Sequence, residues 1–323
     1  FGSRTTAVVP TINEPSVTVK PAASHALGSS PTRIARSWWD WSIDVVTRGW
    51  CHGLGSETME AVETFRELFE IRETDPDVWL APNMHYPWGR VYGGQVAAQG
   101  LFAAAQTVDS AYLPHSIHAY FIRQGISDEP IMYEVDRIRN GRSFVTRRVL
   151  ARQAGGVMLN LSVSFQRPED EPELLTIAMP DDFALDPDAS ENSFVAPMVR
   201  KEDPGPRARA WVRIGDDYEP SPLMEAVAHT FASDDLPTEA VMYAHPLGRP
   251  DFSAPDSERA YFGASLDHAV WFHDLTPASE WTLHDFRSSG VRGGRGVAQG
   301  DLWSSDGRHV ATVAQEVVLR VAR

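Results

Sequence analysis

The fold turns on Val91-Tyr92-Gly93-Gly94-Gln95-Val96-Ala97-Ala98-Gln99-Gly100-Leu101-Phe102-Ala103-Ala104-Ala105, which reads as a buried helix with an open N-terminus. Its small side chains let a helix approach a sheet closely, and the paired glycines permit a tight turn into it. A dinucleotide fingerprint would need a preceding strand, three correctly spaced glycines and a later ribose-binding acid, and that set is missing. The next segments are strand-like: His115–Ile122, Ile131–Arg139, Ser143–Gln153 and Gly156–Gln166 carry β-branched and aromatic residues with period-two stretches. Ala154-Gly155-Gly156 reads as a hairpin turn. One helix followed by hairpin-linked strands specifies an α+β layer with an antiparallel sheet.

Further along, the chain repeats this grammar. Arg207–Ile214 reads as a strand and Pro222–Phe231 as a helix with proline in its first turn. Tyr261–Phe272, Trp281–Arg287, Gly296–Trp303 and Val310–Val321 read as strands. His118-Ala119-Tyr120-Phe121 echoes His268-Ala269-Val270-Trp271-Phe272, and the interval from Arg142 to Arg167 equals that from Arg295 to Arg320. Together these echoes point to internal duplication. Residues 58–167 form a first unit, 168–206, rich in Pro, Asp and Glu, a linker, and 207–323 a second unit.

Residues 1–57 form an N-terminal extension: a flexible arm rich in Pro, Ser, Ala and Thr, then the Trp-rich segment Trp38–Trp50, read as a short helix docked on the body. A chain of 323 residues with 42% apolar and 23% charged residues has the composition of a globular protein. Its net charge of -15 argues against general nucleic-acid binding, which rests on clustered cations. No apolar run reaches the roughly 20 residues of a membrane span. Cys51, the single cysteine, excludes an internal disulfide and a cysteine-rich zinc site. A reducing, cytoplasmic setting is expected.

Ser265-Leu266-Asp267-His268-Ala269-Val270-Trp271-Phe272-His273 crowds hydroxyl, carboxylate and imidazole groups among apolar residues and marks a site. Neighbours on a strand face opposite ways, so Asp267 and His268 do not serve one pocket. There is no Gly-x-Ser-x-Gly elbow, phosphate loop or His-Glu-x-x-His motif. His115 and His118 lie on opposite strand faces without an acidic partner, so packing is the better reading than a metal.

In order, Gly93-Gly94-Gln95, His115–Phe121, Ala232-Ser233-Asp234, Ser265–His273 and Ala314-Gln315-Glu316 resemble the acyl-CoA thioesterase II family. The resemblance runs from about Thr64 to Arg320 and leaves the first sixty residues outside it. It implies a double hotdog, two helix-wrapped antiparallel sheets in one chain, which hydrolyses fatty acyl-CoA to free acid and CoA. It also implies a water held by Asp234, Ser265 and Gln315, all in the second unit, with Asp234 as general base and no metal or other cofactor. The oxyanion donors are expected at the helix start near Gly94 and Gln95. Arg292 and Arg295 flank the glycine-rich turn before Gly296 and are candidates for CoA phosphate contacts, Arg295 foremost. Further homo-oligomerisation is expected. Two alternatives stay open: hydration or dehydration of an enoyl or hydroxyacyl thioester, and a non-catalytic acyl-CoA-binding protein.

Overall fold

The structure, a computed structural model, describes residues 61–86, 88–193, 195–203, 207–215, 217–248 and 261–321. The arm, the Trp-rich segment and Cys51 lie outside the described residues. In chain order the elements are β1 (Arg72–Asp75), β2 (Val78–Ala81), α1 (Gly93–Ala105), β3 (Leu113–Phe121), β4 (Ile131–Asn140), β5 (Phe144–Gln153), β6 (Gly156–Gln166), β7 (Met198–Glu202) and β8 (Ala208–Ile214). They continue with α2 (Pro222–Ser233), α3 (Pro237–Tyr243), β9 (Tyr261–Ser265), β10 (Asp267–Phe272), β11 (Thr282–Arg292), β12 (Arg295–Ser304) and β13 (His309–Val321).

The strands join one antiparallel sheet in the order β1-β2-β4-β5-β6-β3-β10-β13-β12-β11-β8-β7, with β9 also paired to β13. Counted outward from the β3–β10 seam, both halves follow one plan. The central strand is flanked by the last, middle and first members of a meander, then by two strands from earlier in that half. At the seam Val270 pairs with Ile117, and His268 with Ala119. α1 lies across β3–β6, α3 covers β11–β13, and α2 packs chiefly against α1. One large apolar core runs through both halves, with Leu101, Ile117, Leu161, Phe231, Val270 and Val313 all buried, and a smaller cluster of Trp211, Leu283 and Trp303 lies apart from it. Among the described residues no helix is long and apolar enough to cross a membrane.

β1, β2 and α3 are not assigned by the sequence reading, and two further stretches differ from it. The stretch 168–206, expected as linker, ends in β7, which pairs with β8 and buries Met198, Arg200 and Lys201. Its charged sequence, Met198-Val199-Arg200-Lys201-Glu202, hides a strand because the cations are matched internally. Tyr261–Phe272, expected as one strand, is interrupted at Leu266. Ser265 pairs with Val317 but Ala269 with Ala314, so three residues, 266–268, face two, 315 and 316. That is a β-bulge, which bends the strand and re-aims its side chains.

Candidate active site

α2 begins where Ser221 caps it, its hydroxyl accepting from the Met224 N–H at 3.2 Å, with Pro222 in the first turn. It ends at Ser233, with Asp234 as C-cap, and α3 starts a few residues on with Pro237 in its first turn. This break turns the Asp234 carboxylate into the protein, where the residue is only 6% exposed.

Opposite it stands the start of α1. Tyr92, the N-cap, supplies no side-chain cap, so the first N–H groups of the helix are left for other partners. The Gly94 N–H lies near Asp234 and lowers its carboxyl pKa. A Cβ on Gly93 would lie 2.7 Å from Asp234 Oδ2, and one on Gly94 would collide with the Phe231 carbonyl. Glycine at both positions is therefore what lets the helix N-terminus, with its partial positive charge, reach the carboxylate. Tyr92 Oη donates to Phe231 O at 2.9 Å and binds the two helices at this contact.

The β-bulge completes the cluster. Residues three apart on a regular strand point to opposite faces, yet Ser265 and His268 both bond to Gln315. Ser265 Oγ donates to Asp234 Oδ1 at 3.1 Å, and Gln315 Nε2 donates to Ser265 Oγ at 2.7 Å. Burial pushes the Asp234 carboxyl up to about 7, the Ser265, Gln315 and Gly94 donors pull it back, and nearby Asp235 pushes it up again. Burial pushes the His268 imidazole down to about 4. Asp267 turns the other way, accepting from the Glu316 N–H at 2.6 Å, so the adjacent pair does diverge.

Thus the structure gathers Asp234, Ser265, Gln315 and Gly94. The Gln95 side chain is elsewhere, in a buried amide network with Asn83 at 2.6 Å and Tyr86 at 2.7 Å. Arg292 and Arg295 flank the Gly293-Gly294 hairpin turn, both exposed, and Arg295 is ion-paired with Glu316 at 2.9 Å. Neither is brought to the Asp234 cluster. His115, read as a packing residue, shares a hydrogen bond with Ser164 Oγ at 2.8 Å. Sequence reasoning missed Ser233 and the contribution of His268; the signal was the run Ala232-Ser233-Asp234, whose middle hydroxyl bonds to His268 Nε2 at 2.9 Å.

Residues 82–166 match the acyl-CoA thioesterase N-terminal domain and residues 168–319 the acyl-CoA thioesterase C-terminal domain. Acyl-coenzyme A thioesterase 8 of Mus musculus is 30% identical over 79% of this chain and 88% of its own. The chain belongs to the acyl-CoA thioesterase II family. The thioesterase is also similar to a solved acyl-CoA thioesterase II, TesB2 from Mycobacterium marinum, at 29% identity and a TM-score of 0.61, over 79% of this chain and 96% of that one. A solved protein of unknown function with hot dog fold from Alicyclobacillus acidocaldarius shares the fold alone, at 20% identity and a TM-score of 0.60, over 80% of this chain and 98% of its own.

Proposed function

We propose that this thioesterase is a double-hotdog enzyme that hydrolyses fatty acyl-CoA through a water held by Asp234, Ser265 and Gln315. The observation that carries the reading is the convergence of these three side chains in one buried, hydrogen-bonded set against the α1 N-terminus. A thioester carbonyl is electrophilic and a CoA thiolate leaves readily, so an oriented water suffices without a covalent intermediate. Asp234 takes a proton as the water oxygen bonds to the carbonyl carbon. The tetrahedral intermediate then collapses, the C–S bond breaks, and the departing thiolate takes up a proton to give CoA and the free acid. Gly94 N–H holds the Asp234 charge, and the backbone N–H of Gln95, one residue further into the same open helix end, is the donor we assign to the oxyanion.

Two sheet halves that repeat one strand order support the double hotdog: each half brings its own helix, and the site lies where the halves meet. Exposed Tyr120 and Trp271, on the seam strands, support self-association across that face. A cytoplasm-like reducing compartment belongs to the same reading, supported by the single cysteine.

The test is release of CoA thiol, followed with a thiol reagent across acyl chain lengths, for wild type, Asp234→Ala and Gln315→Ala. Loss of ~10²–10⁴-fold in kcat/KM is expected for Asp234→Ala. Near-wild-type turnover by both variants would remove the assignment.

A further inference from the structure

His268 is wholly buried on β10, and both of its nitrogens are engaged. Nδ1 lies 2.6 Å from Gln315 Oε1, and Nε2 lies 2.9 Å from Ser233 Oγ. The imidazole is neutral at working pH, because burial disfavours its cation. A neutral ring carries one N–H and one lone pair. An amide oxygen only accepts, so Nδ1 bears the proton and Nε2 accepts from the Ser233 hydroxyl. Gln315 then presents its NH2 to Ser265, which leaves the Ser265 proton for Asp234. Donation runs in one direction, Ser233 to His268 to Gln315 to Ser265 to Asp234, and ends on the carboxylate.

The reverse polarity has a different requirement. With Gln315 turned end for end, its NH2 would donate to an unprotonated Nδ1, Nε2 would donate to Ser233, and the Ser233 hydroxyl would turn to Thr230 O, 3.1 Å away. The amide oxygen would take the Ser265 proton, leaving two bare oxygens, Ser265 Oγ and Asp234 Oδ1, facing each other. That arrangement is satisfied only when Asp234 is protonated. Imidazole tautomer and amide orientation are therefore a single choice, made by the charge of Asp234.

We infer that His268 is a positioning residue, which as an Nδ1–H donor holds the Gln315 amide with its NH2 toward Ser265 and Asp234. Both of its ring nitrogens are taken by protein groups, so it acts through Gln315. The inference goes beyond the proposed mechanism and rests on it only for its catalytic consequence; the tautomer is a property of the resting protein.

The test has two independent arms on the full chain. Histidine ¹⁵N NMR of wild type at pH 8.5, with the His268 signals assigned by their loss in His268→Asn, is expected to show Nδ1 protonated and Nε2 bare. Kinetically, His268→Asn places an amide N–H where Nδ1 stood and is expected to keep kcat within ~3-fold. His268→Leu removes the donor and is expected to lose ~10²-fold in kcat, the scale of a misplaced reacting group, with KM little changed. Its acid limb in kcat/KM moves upward as Asp234 loses support; the other groups facing that carboxylate, Asp235, Tyr92 and the α1 N-terminus, are the same in both variants. An Nε2-protonated ring overturns the inference, as does an Asn variant no better than Leu, or a Leu variant with wild-type kcat and acid limb. Should Leu fail to fold, the NMR arm and the Asn variant still decide. An Asp234→Ala enzyme that stays active would instead sink the general-base reading and leave the tautomer measurement standing.

Discussion

Asp234 is asked to carry charge where water cannot solvate it, and its carboxyl is pushed up to about 7 as a result. A general base works only when deprotonated, so kcat/KM should climb as pH rises through about 7 and level off above it; a flat profile from pH 5 to 8 would contradict this. The same displacement bears on stability. From about pH 4 to about 7 the folded chain binds this proton more tightly than the unfolded chain, so its contribution declines as pH rises and stays lost above 7. Each tenfold difference in proton affinity between the two states is worth at most ~1.4 kcal/mol. Asp234→Asn removes the charge but keeps an oxygen for Ser265 and Gly94, so urea unfolding at pH 8 should show equal or greater stability in a nearly inactive protein. Taken one by one, Asp234, Ser265 and Gln315 read as a cap, a strand hydroxyl and a backbone-pairing amide; they were legible in the sequence only through the family resemblance that their short motifs carry in order. The coupling of Ser265 to His268 was not, since strand alternation places residues three apart on opposite faces and nothing in Leu266-Asp267 announces a bulge.

At the scale of elements, the corner between α2 and α3 is held from outside by β7. Arg200 reaches Asp235 at 2.6 Å, Glu239 at 2.9 Å and Glu202 at 2.7 Å, with Asp235 and Arg200 almost fully buried. This cluster braces the residue next to Asp234 and neutralises a carboxylate that would otherwise raise the Asp234 pKa further. Arg200→Met should cost about 3–5 kcal/mol in urea unfolding, because it leaves Asp235 and Glu239 without their buried cation. A loss below ~1 kcal/mol would show that the cluster is not a brace. The strand was hidden in the sequence for the reason that makes it stable: its charges read as solvated linker until their partners, 35 and 39 residues away, are seen. α1, α2 and the meander strands were readable because their apolar periodicity is local, whereas the single-proline start and short length of α3 left it unread.

At the scale of the whole molecule, the halves share one core. Phe65, ahead of β1, packs edge-on against Phe231 of α2 at 5.4 Å and against Tyr218 at 5.3 Å. Residues 61–321 should therefore unfold in one cooperative transition, and Phe65→Ala should lower its midpoint as a unit, by about 3–5 kcal/mol, without splitting it. Two separate calorimetric peaks from this body would refute that. The duplicated plan was legible from paired echoes such as His118-Ala119 and His268-Ala269; the seam that joins the copies was not, because strand pairing across such a distance has no local signature. The seam also sets an order of events during synthesis. Once β6 has been made, β3 has one edge paired to it and the other bare until β10 appears about 100 residues later, on the order of 10 s at ordinary elongation rates. For that interval the nascent first half carries an open strand edge at what becomes the middle of the finished sheet, the kind of edge on which strands from other chains add. The thioesterase therefore carries this open edge before Gln315, the last residue of the proposed catalytic set, has been translated.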